Sequence, residues 1–482
     1  MNLRYDPADN ETFWADIQRI PGFPGRGLIE PLPTMVFESG ALFRLTEILI
    51  ASRARKEQPL LVVMDSTPMQ RGSESLKPLV LKILQQAGWQ ARVLLLEPDS
   101  SGQVHTTLNR IQGVQSRLEP DVAALSIGSG TVTDIVKHAC YLYEQQDEIH
   151  IPFVAYPTAN SVSAYTSNMT PLFVKGVKRT VESRLPDGLV YDLETLQGAP
   201  REMTLAGVGD LLALYTGAAD WYLAYRLGMD DTYNRFPLEL LGPLDDILTW
   251  YAADIRDLTL NGMAILAKLI SLVGLGLSFF HATTPLSGYE HVISHTLDLI
   301  NQQQRLPLAL HGNQVALAVI LLSAAYRIFL EEFDPAAVDI DLCYPDLETM
   351  QLYVAQIFQA IDPSGIVGAE CWSDYHIKLE KWQANQLKLS YYIADWEEIK
   401  TDLLELTRPP ELIVEILRAV GSPLWFDELK PPLGIEQVKF ALLNSPFIRQ
   451  RLTLGDLLFF LDWDREALWQ RIWDEGQALA TF

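Results

Sequence analysis

The chain has 482 residues, of which 48% are hydrophobic and 20% are charged, a composition typical of a folded protein with two or three domains. Its 61 acidic residues outnumber its 37 basic residues. This balance argues against a nucleic-acid or anionic-membrane partner, because both need a basic surface. The three cysteines lie far apart and form no CxxC pair, so a zinc ribbon and a dithiol redox motif are both excluded.

The chain begins with a polar, acidic segment that lacks the apolar core of a signal peptide, so we expect a cytoplasmic protein. Two apolar stretches, 263–280 and 315–330, approach the length of a membrane-spanning helix. Lys268 and Arg327 interrupt them, and a central Lys costs about 2.5–3.5 kcal/mol in a membrane. We therefore expect both stretches to be buried core helices.

The first 200 residues alternate between strand and helix patterns. Short apolar runs at 59–64, 91–96, 121–127 and 151–156 predict strands, with helical patterns between them. Such alternation is typical of βαβ units and a mostly parallel sheet. We predict an α/β dinucleotide-binding domain of the Rossmann type over residues 1–202.

Helical periodicity dominates the rest of the chain and predicts an all-α domain over residues 203–482. From about residue 373 this domain continues as a tail of short helices, for which a structural role is the simplest interpretation. The predicted helices are 211–226, 244–280, 289–302, 314–332 and 350–360.

A glycine-rich turn, Gly128-Ser129-Gly130-Thr131, follows the third predicted strand and precedes a helix. Backbone amides at such a turn can bind a pyrophosphate, although a GxG turn alone is also a common tight turn. Asp65 ends the first predicted strand, where an acid can accept hydrogen bonds from a ribose and repel a 2′-phosphate. That position favours NAD over NADP, while a simple turn aspartate explains it equally well.

His291 and His295 are four residues apart and share one helix face. His311 precedes another predicted helix, and we predict that Asp210 opens a helix of its own. A lone histidine usually packs in a core and a lone aspartate usually caps a helix. One aspartate and two histidines with an open position are nevertheless typical of a catalytic metal site, and these ligands suit zinc, iron or nickel.

Five motifs, in this order, resemble the glycerol-1-phosphate dehydrogenase family: GSGTVTD, PTANS, GVGDLLALYTGAADW, EHVISH and LHG. The family is related to glycerol dehydrogenase, iron-containing alcohol dehydrogenases and dehydroquinate synthase. The resemblance runs from about residue 30 to the carboxyl end, where CWSDYHIKLEKW and RQRLTLGDLLFFL are similar to the bacterial branch. It implies an NAD- and metal-dependent dehydrogenase that interconverts dihydroxyacetone phosphate and glycerol 1-phosphate, or a closely related polyol.

The resemblance also implies roles for individual residues. Asp210, His291 and His311 match the metal ligands, with zinc as the first choice and nickel or iron as alternatives. His295, whose near-neutral pKa suits a proton relay, matches a catalytic residue that contacts the substrate. The residues that match the cofactor site are Asp65, Gly128, Ser129, Gly130, Thr131, Thr158, Ser161 and Ser167.

The chain departs from the family pattern P-T-A-P-S-x-D-G-Y at three positions, where it has Asn160, Ser163 and Ala164. The family aspartate helps to hold the substrate, and Ser163 can donate a hydrogen bond there but carries no charge. An altered substrate, weak activity or a non-catalytic relative therefore stays open. A cyclase related to dehydroquinate synthase is a separate alternative, although the GVGDLLALYTG segment fits the dehydrogenase branch better.

Two further expectations concern charge and assembly. Lys175, Lys178 and Arg179 are candidates for a positive patch near the cleft, and a solvated hairpin explains them at least as well. The apolar carboxyl-terminal helices make a homodimer plausible.

Overall fold

The computed structural model describes residues 3–25 and 32–481. The strands are β1 (Thr34–Glu38), β2 (Pro59–Asp65), β3 (Gln70–Arg71), β4 (Glu74–Ser75), β5 (Gln90–Leu96), β6 (Ala123–Gly128), β7 (Phe153–Pro157), β8 (Met169–Val174), β9 (Val177–Glu182) and β10 (Gly188–Asp192). Six of them form one parallel sheet in the order β1-β10-β7-β6-β2-β5, in which Leu60 pairs with Ala123 and Pro59 with Gln90.

The four predicted strands are confirmed as β2, β5, β6 and β7. Helices cover both faces of β6 and β7, and every residue of these two strands is buried, which explains their unbroken apolar runs. β5 lies at the sheet edge and is largely exposed. The strands β1, β3, β4 and β10 were not predicted. β8 and β9 form an antiparallel hairpin, which was the alternative interpretation of the segment with Lys175, Lys178 and Arg179.

No strand follows Asp192 among the described residues, so an α/β half precedes an all-helical half and the predicted fold class is confirmed. The α-helices are α1 (Asn10–Ile17), α2 (Leu45–Ala51), α3 (Leu76–Gln86), α4 (Leu108–Gln115), α5 (Gly130–Asp147), α6 (Leu193–Gln197), α7 (Arg201–Leu212), α8 (Leu214–Arg226), α9 (Phe236–Leu241), α10 (Leu244–Trp250), α11 (Ala252–Arg256), α12 (Leu260–Phe280), α13 (Tyr289–Gln303), α14 (His311–Glu332), α15 (Leu347–Gln359), α16 (Ile366–Ala384), α17 (Gln386–Ala394), α18 (Trp396–Leu406), α19 (Pro410–Val420), α20 (Ile435–Asn444), α21 (Leu454–Phe460) and α22 (Arg465–Thr481).

The prediction of one helix over 244–280 is wrong, since the chain forms α10, α11 and α12 there. Leu258 adopts a left-handed backbone conformation, with φ of 52°, which ends the helical path. The Thr259 side chain then accepts a hydrogen bond from the Gly262 amide and starts α12.

The two apolar helices α12 and α14 are long and apolar enough to cross a membrane by composition alone. The structure instead buries 83% of the apolar window of α12 and 94% of that of α14 inside the fold. Both are core helices of the helical half, as the interrupting charges predict.

The amino-terminal segment packs against the helical half of the molecule. The Trp14 and Phe23 rings both meet Phe279 of α12, with centroid distances of 6.2 Å and 5.5 Å. Lys268, the charge inside the apolar stretch, pairs with Asp6 at 2.7 Å. The domain boundary at residue 202 stays a prediction, and it falls in the first turn of α7.

Candidate active site

A cleft of about 630 Å³ lies where the carboxyl ends of the sheet strands meet the helical half. Parallel strands bring their carboxyl ends to one sheet edge, where ligands of doubly wound folds bind. The cleft wall therefore combines Asp65 at the end of β2 and Ser129 after β6 with histidines and arginines from the helical half.

The amino terminus of α5 forms the sheet side of the cleft. Ser129, Gly130 and Thr131 line it, and the first amides of a helix have no partner within that helix. A β-carbon on Gly130 would lie 2.4 Å from Val162 Cγ2, so only glycine lets the two segments approach this closely. The geometry suits an anion, as the glycine-rich turn predicts.

Two of the predicted cofactor contacts lie behind the cleft wall. The Thr158 amide donates a hydrogen bond of 3.1 Å to the Gly128 carbonyl, which ties the ends of β7 and β6 together. Neither residue lines the cleft, whereas Ser161 and Ser167 do. The sequence motifs could not separate these cases, because a motif does not show whether a residue faces the cleft or the interior.

Asp65 lines the cleft and is held by Lys77 of α3. The Lys77 ammonium lies 2.8 Å from Asp65 Oδ1 and donates also to the carbonyl oxygens of Asp65 and Thr67. The three ammonium protons are thus all used within the protein. Lys77 therefore has no free donor for a further anion.

Asp210, His291 and His311 come together on the helical side of the cleft. Their possible ligand atoms all lie within 4.8 Å of one another. His291 Nε2 is 3.4 Å from Asp210 Oδ1, and the His291 and His311 ring centroids are 5.0 Å apart. The three residues come from α7, α13 and α14, and no sequence spacing predicts how close they are.

The expectation that Asp210 opens a helix is wrong, because Asp210 lies in the last turn of α7. A carboxylate there faces the negative end of the helix dipole and needs another source of stabilisation. The Ser163 amide supplies part of it, since it donates a hydrogen bond of 3.1 Å to Asp210 Oδ2. A nearby cation would supply the rest.

Glycines bring α7 and α14 close enough to form this group. A β-carbon on Gly209 would lie 2.0 Å from the Gly312 carbonyl oxygen, and one on Gly312 would lie 1.8 Å from the Ala206 carbonyl oxygen. Real β-carbons do not approach backbone atoms so closely. The two glycines next to the ligands, in GVGD and LHG, therefore set the distance from Asp210 to His311.

The His291 ring is held on its other side by a buried carboxylate. His291 Nδ1 lies 2.9 Å from Glu290 Oε1, and Glu290 is fully buried. Burial lowers the pKa of His291, but hydrogen bonds to Asp210 and Glu290 outweigh it and leave that pKa raised. A carboxylate at Nδ1 of a histidine that can offer Nε2 is a typical arrangement around a bound metal.

The His311 ring is held by a chain of polar groups. The Ser294 hydroxyl donates to Gln314 Oε1 at 2.7 Å, so at 2.8 Å from His311 Nδ1 it must accept the ring proton. Gln314 Nε2 in turn donates to Asp298 Oδ1 at 3.1 Å. This order of donors leaves the lone pair of His311 on Nε2, the form that binds a metal.

His295 lies in the same cleft but outside the group of three. Its ring stacks on His311 at 5.4 Å, and its Nδ1 accepts a hydrogen bond of 2.9 Å from Arg449. Burial, followed by the charges of Arg449 and Lys178, lowers its pKa well below the usual value. The expectation of a near-neutral pKa is therefore wrong, and His295 is a neutral ring with its proton on Nε2.

The departures from the family pattern fall on the loop that faces Asp210. Ser163 lines the cleft, and its backbone amide touches the carboxylate. Asn160 is buried and its side-chain amide donates to the Met263 carbonyl at 3.0 Å, so it joins the loop to α12. Ala164 also lines the cleft.

The predicted positive patch on the β8–β9 hairpin is wrong for two of its three residues. Lys175 pairs with Glu370 at 3.1 Å, and Arg179 pairs with Glu370 and Asp374 of α16. Lys178 does line the cleft, but it pairs with Asp298 at 3.2 Å.

Two arginines from the tail take the place of that patch. Arg449 and Arg451 line the cleft, so the interpretation of the tail as purely structural is wrong. The sequence signal was the RQR triplet, in which alternate residues of an extended segment point the same way. Nothing in the sequence showed that this segment returns to the cleft.

Known proteins resemble this chain in sequence and in fold. The family model described as iron-containing alcohol dehydrogenase matches residues 36–200. A glycerol-1-phosphate dehydrogenase [NAD(P)+] of Bacillus subtilis (strain 168) is 32% identical over 376 residues, which cover 77% of this chain and 78% of that protein. The enzyme of the same name from Bacillus velezensis is 35% identical over 213 residues, covering 43% of this chain and 51% of that protein.

Among solved structures, a probable glycerol dehydrogenase from Sinorhizobium meliloti 1021 superimposes with a TM-score of 0.52 at 14% identity. The match covers 93% of this chain and 96% of that chain. At this identity the likeness shows the fold alone.

Proposed function

The chain belongs to the glycerol-1-phosphate dehydrogenase family, and from this premise we propose that it interconverts dihydroxyacetone phosphate and glycerol 1-phosphate with NAD. Membership makes it an NAD(P)-dependent, metal-containing dehydrogenase. The observation that carries the proposal is one cleft, which joins the α5 amino terminus to Asp210, His291 and His311.

The donor set fits a divalent metal. One carboxylate and two imidazoles converge within 4.8 Å, and Glu290 and Ser294 orient the two rings from outside. Three protein ligands beside an open cleft suit catalytic zinc, which we propose as the native metal, with nickel and iron as alternatives. Such a metal supplies a Lewis acid for the reacting carbonyl, and the nicotinamide supplies the hydride.

We propose NAD as the preferred cofactor. Asp65 lies where it can accept hydrogen bonds from a ribose, and its charge disfavours a 2′-phosphate. Lys77 has no spare donor to attract that phosphate, because its protons already bond Asp65 and the Thr67 carbonyl. The α5 amides, with the side chains of Ser129 and Thr131 beside them, are proposed to bind the pyrophosphate.

The neighbouring polar groups are proposed to hold the substrate. His295, with its proton on Nε2, donates a hydrogen bond to the substrate instead of exchanging a proton with solvent. The Ser163 hydroxyl binds a substrate hydroxyl where the family has a carboxylate. Its backbone amide keeps Asp210 in place whatever side chain the position carries.

We propose a cytoplasmic homodimer. Large apolar side chains stay exposed on the helical tail, among them Leu387, which is 73% exposed, and Tyr391, which is 60% exposed. A second copy of the chain would cover them. Light scattering on the purified protein measures the mass and decides between one copy and two.

The test of function is NADH oxidation with dihydroxyacetone phosphate by the zinc-loaded protein, before and after chelation. We expect metal-dependent turnover, its loss together with bound zinc in His291→Ala, and normal behaviour in His376→Ala, whose histidine bonds a backbone carbonyl within α16. NADPH replaces NADH in a parallel assay and is expected to be the poorer cofactor.

Other results would redirect the proposal. Zinc and NADH binding without turnover would point to a cyclase or to another substrate. Failure to bind either would leave the non-catalytic alternative.

A further inference from the structure

Arg449 and Arg451 lie on the wall of the cleft without a carboxylate partner. Among residues 3–25 and 32–481, no Asp or Glu oxygen lies within 4.0 Å of either guanidinium, although most other arginines of the helical half are ion-paired. A partly buried charge without a counter-ion is unfavourable unless a ligand supplies one. Burial, then Arg451 and Arg179, lowers the pKa of Arg449 to about 9.

Both arginines keep donors free for a ligand. Arg451 uses two of its N–H groups on the Thr283 and Ser287 hydroxyls, with the Ser287 bond at 2.9 Å. Arg449 uses one on His295. A guanidinium has five N–H groups, so several on each remain to face the cleft and a neighbouring cavity of about 460 Å³.

The backbone of this segment is held rigidly by buried charges on other elements. Lys378 of α16 donates to the Pro446 and Arg451 carbonyls and pairs with Asp456, both charged side chains being fully buried. Arg179 donates to the Ile448 carbonyl at 2.8 Å, and Asp220 accepts from the Leu454 amide at 2.8 Å. Such a frame orders the arginine pair before any ligand binds, which lowers the cost of binding.

The Arg449 guanidinium lies one imidazole ring away from the proposed metal ligands, and Arg451 lies on the same cleft wall. His295 stacks on His311 at 5.4 Å and bonds Arg449 at 2.9 Å. A substrate of a few carbon atoms can therefore reach from the proposed metal site to the guanidinium groups. The α5 amides are already assigned to the cofactor pyrophosphate and lie on the sheet side of the cleft.

We propose that Arg449 and Arg451 form the phosphate-binding subsite for the substrate, and thereby select a phosphorylated three-carbon polyol or ketone over its unphosphorylated form. The pair suits a phosphate because planar guanidiniums donate two hydrogen bonds at once to its oxygens. This inference rests on the proposed function for the identity of the substrate. It rests on the arginine pair alone for the binding of phosphate.

The first experiment uses inorganic phosphate as the probe and needs no turnover. We expect phosphate to raise the melting temperature of the zinc-loaded protein, and Arg451→Met and Arg449→Met to lose most of that rise. Arg471→Met is the matched control, because it removes a tail arginine that pairs with Glu332 on the surface. Equal stabilisation of the wild type and both cleft variants by phosphate would overturn the proposal.

The second experiment compares substrates. We expect each cleft variant to lower kcat/KM for dihydroxyacetone phosphate by about 10- to 100-fold, the range for one charge-assisted hydrogen-bonding group. In Arg451→Met, the kcat/KM for unphosphorylated dihydroxyacetone and the KM for NADH should change little. Arg449→Met also removes the donor to His295 Nδ1, so it should lower kcat/KM for both substrates. An equal loss with both substrates in Arg451→Met would show that this arginine only supports the site, and a raised KM for NADH would assign it to the cofactor.

The two experiments distinguish a failure of the phosphate subsite from a failure of the proposed function. Arginine-dependent phosphate binding in a wild type that does not turn over dihydroxyacetone phosphate would refute the function and keep the subsite. Turnover of dihydroxyacetone phosphate by the wild type, with phosphate binding unaffected in both arginine variants, would keep the proposed function and refute the subsite. Arg451→Lys covers the case of a misfolded methionine variant, since it keeps the charge and is expected to retain part of the phosphate affinity.

Discussion

The two sides of the cleft are built in different ways. On the sheet side, the proposed cofactor contacts come largely from backbone amides at the start of α5, within the short segment 129–131. On the helical side, side chains from α7, α13, α14 and the tail line the cleft, and Asp210 and Arg451 among them are 241 residues apart in sequence. Local backbone geometry therefore determines the sheet side of the cleft, and packing between distant segments determines the helical side.

This difference predicts where substitutions matter. A backbone amide survives most changes of its side chain, so the sheet side should tolerate substitution unless a close approach such as that at Gly130 is blocked. On the helical side each polar side chain has its own partner, and removing it leaves that partner unsatisfied.

Gly312→Ala should have the largest effect, because its β-carbon would lie 1.8 Å from the Ala206 carbonyl oxygen. α7 and α14 would have to separate, and Asp210 would move away from His311. We expect the free energy of unfolding to fall by about 3 kcal/mol or more, at the upper end for overpacking, with weaker zinc binding. Urea unfolding and zinc titration measure the two effects.

Gly113→Ala in α4 is the matched control from the sheet half, since a β-carbon there meets nothing within 4 Å. Alanine is the better helix former, so this variant should gain about 0.5–1 kcal/mol. Equal stability changes in the two variants would contradict the role given to the close approach of α7 and α14.

Ser294→Ala should have the next largest effect, without unfolding the protein. It removes the hydroxyl that accepts the His311 ring proton and donates to Gln314. Groups that orient a metal ligand usually contribute about 10- to 100-fold to metal affinity, and we expect a loss in that range. Competition with a zinc chelator measures it.

Ser373→Ala is the control for this change, because its exposed hydroxyl bonds only the Glu370 carbonyl within α16. Its zinc affinity should equal that of the wild type. A Ser294→Ala protein that binds zinc as tightly as this control would show that the His311 ring is held without the hydroxyl.

His150→Gln should have the smallest effect, and it lies in the sheet half away from the cleft. Hydrogen bonds to Asp187 and then Glu144 raise the pKa of His150 to about 9. The folded state therefore binds this proton more tightly than the unfolded chain, and the stabilisation is complete below about pH 6.5 and lost as pH rises through about 9. The ring is 44% exposed, so solvent screening keeps the effect below about 1 kcal/mol.

Urea unfolding of the wild type and His150→Gln at pH 6 and pH 9.5 tests this sign. The free energy of unfolding of the wild type should exceed that of His150→Gln at pH 6, and the difference should disappear at pH 9.5. A gap that widens with pH would mean that the folded state holds the neutral ring.

The sequence predicted the parts of the site whose geometry is local. Apolar runs of six or seven residues identified β2, β6 and β7, and the GSGT turn at the end of β6 follows from its place between strand and helix. The spacing of His291 and His295 placed both on one face of α13. Asp210 was placed at the wrong end of its helix, because an aspartate before an apolar run is typical of an amino-terminal cap.

The sequence alone determined the α/β half followed by the helical half, the candidate ligands and the family, because strand and helix periodicity and short motifs are local properties. Only the tertiary structure decided that Asp210 meets His311 through a glycine contact, that Lys77 uses up its donors on the Asp65–Thr67 segment, and that the tail returns Arg449 to the cleft. These outcomes depend on backbone approach and on competition among partners distant in sequence. The physical reason is that the fold decides which groups lie beside a charged side chain, and therefore whether that side chain has a partner.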